Sequence, residues 1–267
     1  QVARNLEAFT WGRWAAHDPV RVARLSVPTQ AVQWAGRAPK ATQEPLAELV
    51  ARRADYLRLY QDEAYAEHYR QWVQRVQHAE QPLGSERLSR EVATQLFRLM
   101  AIKDEYEVAR LLTAPEFKTQ LAQQFEGHWR MAYHLAPPRW WPWGQGASAE
   151  GAARPAKQRH GAWMGPVLGL LARAKGLRGT WLDPFKWSVD RREDRAVLVE
   201  YEALLNRCLP HLRPGNLAQI CDMARVPENI RGYGPVRLAA IQQARQRWQQ
   251  LWQKCFGGSL GASVEGD

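Results

Sequence analysis

Leu99-Met100-Ala101-Ile102-Lys103-Asp104-Glu105-Tyr106-Glu107-Val108-Ala109-Arg110-Leu111-Leu112-Thr113 crowds charged side chains into a pattern that is otherwise strongly helical. Just upstream, Val92, Leu96, Leu99 and Met100 recur at the offsets that build one face of an α-helix. Carried forward, the same stripe reaches Lys103, Tyr106 and Arg110, where a plain core helix would hold Leu or Val. The spacing therefore predicts one long helix, capped by Ser89 and ending near Thr113, whose inner face turns polar half-way. Lys103 and Glu107 are four positions apart, Glu107 and Arg110 three, and Tyr106 and Arg110 four, so they can meet on one surface. Such a cluster is either an ion-paired helix end, worth a few tenths of a kcal/mol per pair, or a surface for a partner or ligand. Spacing alone favours the first.

Working outward toward the N-terminus, Leu46, Leu49, Val50, Leu57 and Tyr60 follow helical spacing, as do Tyr65, Tyr69, Trp72, Val73 and Val76, which suggests a helical hairpin. Tyr60, Tyr65 and Tyr69 read as packing residues rather than as a base-stacking platform. Residues 26–43, with Pro28, Gly36 and Pro39, read as a linker, and Asp18-Pro19 as the start of a short helix toward Leu25. The first residue is Gln1, which fits a piece cut from a longer chain.

Toward the C-terminus, Thr113-Ala114-Pro115-Glu116 reads as a capping box opening a helix with Phe117, Leu121 and Phe125 on one side. Tyr133-His134-Leu135-Ala136-Pro137-Pro138 must leave helical geometry, because proline disfavours the α conformation in the residue before it. His134, just ahead of that bend, is a candidate acid, base or hydrogen-bond donor, although lone histidines seldom are. Arg139-Trp140-Trp141-Pro142-Trp143 and the Gly/Ala/Ser/Pro-rich run after it mix aromatic and basic side chains, as a single-strand nucleic-acid site would; a surface loop covering an apolar patch is the plainer reading.

Trp163 to Lys175 should be a helix ended by Gly176 in left-handed geometry. In the following loop, Arg178, Gly179 and Asp183 are close enough in sequence to hold an anion or fix another arginine. Ser188 should cap a helix with Arg191, Arg192 and Arg195 in its first turns; cations there oppose the macrodipole, so a counter-anion is expected, Asp190, Glu193 and Asp194 being local candidates. Leu217, Ile220, Cys221 and Ala224 mark a short helix, Gly232 and Gly234 a turn with positive φ, and Ile241, Trp248, Leu251, Trp252 and Cys255 a last helix. The tail from Gly257 should be disordered.

Composition bounds the function. With 267 residues, 45% hydrophobic and 24% charged, the chain can bury a substantial core. No apolar run nears the roughly 20 residues of a membrane span and no signal peptide opens the chain, so a cytoplasmic location is expected. Cys208, Cys221 and Cys255 are far apart and form no C-x-x-C pair; they read as buried thiols rather than zinc or iron–sulfur ligands. Thirty-seven basic against 27 acidic residues give a formal charge of +10, which favours nucleic acid, a phosphate-bearing cofactor or an acidic protein without choosing among them. Walker, H-E-x-x-H, G-x-S-x-G and strand-bound G-x-G-x-x-G motifs do not occur.

The segment Met100 to Arg110 resembles a signature of the C-terminal, uncharacterised domain of the large fused indolepyruvate ferredoxin oxidoreductases, members of the 2-oxoacid:ferredoxin oxidoreductases. Tyr133 to Pro138, Gly161-Ala162-Trp163-Met164, Leu177-Arg178-Gly179-Thr180, Asp183-Pro184-Phe185, Arg191-Arg192 and Ile230-Arg231-Gly232-Tyr233-Gly234 resemble its later motifs in the same order. The resemblance runs from about Leu46 to Phe256 and is poor between Arg139 and Arg159. Ala3 to Arg13, followed by Asp18-Pro19, is similar to the end of the gamma-type domain that precedes this region.

The resemblance implies an enzyme that oxidatively decarboxylates arylpyruvates with thiamine diphosphate, Mg and iron–sulfur clusters, passing electrons to ferredoxin and the acyl group to coenzyme A. Neither a G-D-G segment nor a cluster-binding cysteine run occurs here, so the expectation is an accessory part that binds none of these cofactors itself. Its expected partners are the remaining domains of the same enzyme, with ferredoxin and coenzyme A as candidates for the basic surface, in a homo-oligomer and without a membrane. A basic helical nucleic-acid-binding module and a purely structural oligomerisation domain are the alternatives, nucleic acid being the less favoured. The expected fold is mainly α, a multi-helix domain with irregular loops over 44–256, preceded by an N-terminal remnant of an α/β domain at 1–25 and the linker at 26–43, and followed by the tail at 257–267. Candidate functional or interface residues are Lys103, Asp104, Glu105, Tyr106, Glu107, Arg110, His134, Arg178, Asp183, Arg191, Arg192 and Arg231.

Overall fold

Helical periodicity sets nearly every element of the computed structural model, which describes residues 2–20, 22, 44–125, 130–135, 158–258 and 260. The fold is mainly α, and the chain divides into two compact units, residues 1–43 and 44–267. In the first unit, α1 (Val2–His17) exposes Leu6, Phe9, Trp11 and Trp14. A new helical stretch starts at Pro19, where proline's missing N–H is harmless. The linker expected at 26–43 lies outside the described residues.

The second unit opens with a hairpin of α2 (Leu46–Tyr60) and α3 (Glu63–Glu80); Asp62 caps α3 by accepting the Tyr65 N–H at 2.8 Å. Next come α4 (Arg87–Met100), α5 (Glu105–Thr113) and α6 (Pro115–Gln124), then a two-stranded ribbon of β1 (Tyr133–Leu135) and β2 (Gln158–His160). The chain ends with α7 (Met164–Arg173), α8 (Val189–Cys208), α9 (Leu217–Arg225) and α10 (Pro235–Phe256).

The main core gathers the inner stripes of α2, α3, α4, α8, α9 and α10, with Leu57, Tyr69, Val92, Leu96, Tyr201, Ile241 and Trp248 all buried. Aromatic polar atoms inside it are paired: the Tyr69 hydroxyl donates to Ala93 O, Tyr201 to Ala224 O and the Trp248 indole N–H to Met223 O. Tyr60 and Tyr69 are thus packing residues, as their spacing predicts. A smaller cluster joins α5, the ribbon and α7 through Ala109, Tyr133 and Leu168.

The long central helix is two helices. α4 stops at Met100 and α5 begins after Asp104, whose extended backbone and carboxylate, accepting the Glu107 N–H at 2.7 Å, make it an N-cap. Nor does Ser89 cap α4. Its N–H and hydroxyl, with the Leu88 N–H, donate to the buried carboxylate of Glu80 at 2.7–2.9 Å, so a side chain of the preceding helix caps this one. Other boundaries shift by local chemistry. Thr113 closes α5 by bonding Ala109 O, and Ala114 rather than Thr113 precedes the Pro115 start of α6. Past α7 the chain tightens into a 3₁₀ turn, Ala174–Leu177, and the left-handed residue is Gly179 at φ +76°, not Gly176. Gly232 and Gly234 have the expected positive φ. The pattern around Tyr133 carries no sign of the ribbon, whose second strand lies further on, at Gln158–His160. Pro137, Pro138 and the Trp140 to Trp143 run lie outside the described residues. Of the tail expected to be disordered, Gly257, Gly258 and Leu260 are described; Leu260 packs on the core, its carbonyl accepting from Arg207 and its N–H donating to Gln249.

Candidate functional site

The break between α4 and α5 is where the charges converge. Asp104 is buried, and besides capping α5 it receives two hydrogen bonds from Arg178, Nε to Oδ2 at 2.6 Å and Nη2 to Oδ1 at 3.0 Å. Arg178 reaches it from the loop after α7, stacks on the Tyr60 ring with its guanidinium carbon 3.7 Å from the centroid, and donates a third bond to Tyr60 O at 2.7 Å. Lys175 donates to Arg58 O and Leu59 O, so two cations hold the C-terminal carbonyls of α2, where the helix dipole is negative.

One turn into α5, Glu107 is also buried. Arg110 grips it through two bonds of 2.8 and 2.6 Å, and the Tyr56 hydroxyl of α2 donates to the same carboxylate. Tyr106 points to the opposite side, donating to Asp183 Oδ1 at 3.0 Å; Asp183 in turn accepts the Gly179 and Phe185 N–H groups and so folds the 179–185 loop around itself. Glu105 meets Arg191 of α8 at 2.6 Å. That pair brings the nearest counter-anion of Arg191 from α5, with Asp194, one of the expected local candidates, 4.0 Å away, while Ser188 caps α8 as predicted. Asp194, buried, bonds Arg237 at 2.5 Å and lies 4.0 Å from Arg191.

Burial governs the titration of these groups. It pushes Tyr56 up to about 12, the Glu107 carboxylate reinforcing the effect, and raises Tyr60 and Tyr106 further, with Asp104 and Asp183 respectively as the next causes. For Arg178 and Arg191 burial is the largest single influence and opposes the charge, but the surrounding acids, Asp104 first for Arg178 and Glu105 first for Arg191, contribute to an opposing sum that raises both guanidinium values. Lys175 is lowered, first by burial and then by Arg110 and Arg178.

Eight of the twelve candidate residues thus surround the start of α5: Asp104, Glu105, Tyr106, Glu107, Arg110, Arg178, Asp183 and Arg191. The other four stand apart from these bonds. Lys103, His134 and Arg192 are exposed, and Arg231, also exposed, donates to Glu228 O at 3.0 Å with its guanidinium 3.8 Å from the Glu228 carboxylate. Lys103 and Glu107 form no ion pair, because the helix break separates them.

A family model described as a family of unknown function (DUF6537) matches residues 46–250. The chain belongs to that family. No curated protein and no solved structure matches it. The DUF6537 region contains the whole clamp around α5 and all of α2 through α9.

Within this DUF6537 domain the clamp's chemistry is that of a fastening. Each carboxylate in it meets a guanidinium, a phenol or backbone N–H groups, and each guanidinium meets a carboxylate. Among the described residues no group of three His, Cys, Asp or Glu side chains is placed to hold a metal ion, and no helix is long and apolar enough to cross a membrane. Tyr56, Lys175 and Arg237 carry no local signal in the sequence, because their partners come from other elements. For the break itself a signal exists: Asp104-Glu105-Tyr106-Glu107 puts a good capping residue three positions before a glutamate.

Proposed function

We propose that this chain is the accessory C-terminal part of an indolepyruvate (arylpyruvate) ferredoxin oxidoreductase, supporting oxidative decarboxylation of aryl 2-oxoacids by thiamine diphosphate and iron–sulfur domains elsewhere in the full enzyme. One observation carries the reading: four of the segments that resemble that enzyme's C-terminal motifs, Met100 to Arg110, Leu177 to Thr180, Asp183 to Phe185 and Arg191-Arg192, meet in a single clamp. Asp104 to Arg110 supplies the anions, Arg178 and Arg191 the cations, and Asp183 the loop anchor. Strings matched by chance have no reason to bond one another, whereas motifs of one architecture do.

The role this supports is positional. A clamp whose charges are mutually satisfied holds α2, α5, α8 and the 177–185 loop in a fixed relation, and fixed geometry is what a helper domain lends to cofactor chemistry carried out elsewhere. In this reading the remaining domains of the same enzyme are the first partners, ferredoxin and coenzyme A are further ones, the assembly is a homo-oligomer, and its location is cytoplasmic.

The test uses the native polypeptide that contains this chain, isolated with an antibody raised against residues 44–258. The expected preparation carries thiamine diphosphate and iron and reduces ferredoxin with arylpyruvates; Lys103→Glu and Arg231→Glu, at exposed positions, weaken that turnover without changing the melting temperature. A native polypeptide without either cofactor, or undiminished arylpyruvate oxidation in cells lacking it, overturns the proposal.

A further inference from the structure

A second charged place lies away from the clamp. Arg130 and Arg159 line a cleft of about 470 Å³ with Met131, Ala132, Gly161 and Ala162. The ribbon fixes the orientation of one wall. His134 and Arg159 are cross-strand partners and share a face, as do Tyr133 and His160. Since Tyr133 is buried against Ala109 and Leu168, His134 and Arg159 take the outward face, where both are exposed. Arg130, immediately before the ribbon, is exposed as well.

Among the described residues no carboxylate lines this cleft, and neither guanidinium has a side-chain hydrogen bond or ion pair. That sets them against Arg110, Arg178, Arg191 and Arg237, each of which meets an acid. Two like-charged guanidiniums in one cleft repel, and an anion between them relieves the repulsion. Gly161 and Ala162 lead directly into α7, which has no side-chain cap and no acidic residue in its first turn, so its positive end adds to the same field. Ala132, Gly161 and Ala162 present small or no side chains to the cleft.

We propose that this cleft binds a phosphate-type oxyanion, specifically the diphosphate of a small molecule. Two planar forks suit two phosphoryl groups, each guanidinium able to give paired N–H bonds to one of them. The assignment is independent of the oxidoreductase reading.

Isothermal titration of the full chain with inorganic pyrophosphate, at low ionic strength, tests it. Saturable one-to-one binding is expected, tighter than for phosphate and much tighter than for acetate. Arg130→Gln and Arg159→Gln should each weaken it about tenfold or more, Arg159→Lys less, and Arg192→Gln, at the exposed start of α8, not at all. Both arginines are exposed, so the variants should melt with the parent. Absence of saturable binding, equal affinity for acetate, or an equal loss in Arg192→Gln would overturn the proposal.

Discussion

Asp104 and Arg178, 74 positions apart in the chain, are joined by two charge-assisted hydrogen bonds of 2.6 and 3.0 Å, with both side chains largely withdrawn from water. Removing one partner leaves the other charge buried. Asp104→Ala should therefore cost about 3–5 kcal/mol, part of it the lost cap on α5. In a double-mutant cycle with Arg178→Met the coupling should be about 2 kcal/mol, against less than about 1 kcal/mol for the more exposed pair Glu91–Arg225. Urea unfolding of the six variants measures both; equal couplings would mean the clamp contributes no more than a surface ion pair.

Glu80 makes the start of α4 depend on α3. Glu80→Ala strands two buried backbone N–H groups and the Ser89 hydroxyl, and should cost about 2–4 kcal/mol. Glu80→Gln keeps an accepting oxygen and should lose less. Chemical denaturation gives the two values, and hydrogen exchange at Leu88 and Ser89 should rise more in the alanine variant.

Alkaline pH should unfold the domain in a defined window. A phenol is neutral when protonated, and burial raises Tyr56 and Tyr69 from 10.0 to about 12 and Tyr60, Tyr65 and Tyr106 further. The folded state holds these protons more tightly than the unfolded chain does. Their contribution to stability is complete below about pH 10 and is lost as pH rises from there through about 12. Phenolate absorbance and helical circular dichroism, followed together, should change in one cooperative step within that interval. Phenolate appearing near pH 10 with the helices intact would contradict this.

The thiols should react in order of burial. Burial pushes Cys208 up to about 12 and Cys221 to about 11, and raises the less buried Cys255. Since only thiolates attack alkylating agents, Cys255 should be modified first at about pH 8 and the other two only after unfolding. Peptide mapping after timed alkylation reads this directly.

Much of the helical framework is legible in local pattern. Leu46 to Tyr60, Tyr69 to Val76, Val197 to Cys208 and Ile241 to Trp252 bury the faces that a period of 3.6 assigns them. Ser188 caps α8 because its hydroxyl needs only a backbone N–H three residues on. The same periodicity runs straight through Ala101 to Asp104 and hides the break, since a stripe of apolar residues does not register one capping aspartate. Within a helix one charge pair was legible, Glu107 with Arg110 three positions on; across elements only residue types were: Arg191 looked to Asp190, Glu193 and Asp194, but its closest partner is Glu105.

By itself the sequence determined the helical class, which faces are inside, and several caps, because each depends on groups within about one turn of one another. Only the tertiary structure decided that Asp104 answers Arg178, that Glu107 also answers Tyr56, and that Glu105 answers Arg191. Which charges neutralise one another depends on distances across the folded domain, and separations of 51 to 86 residues along the chain carry no trace of them.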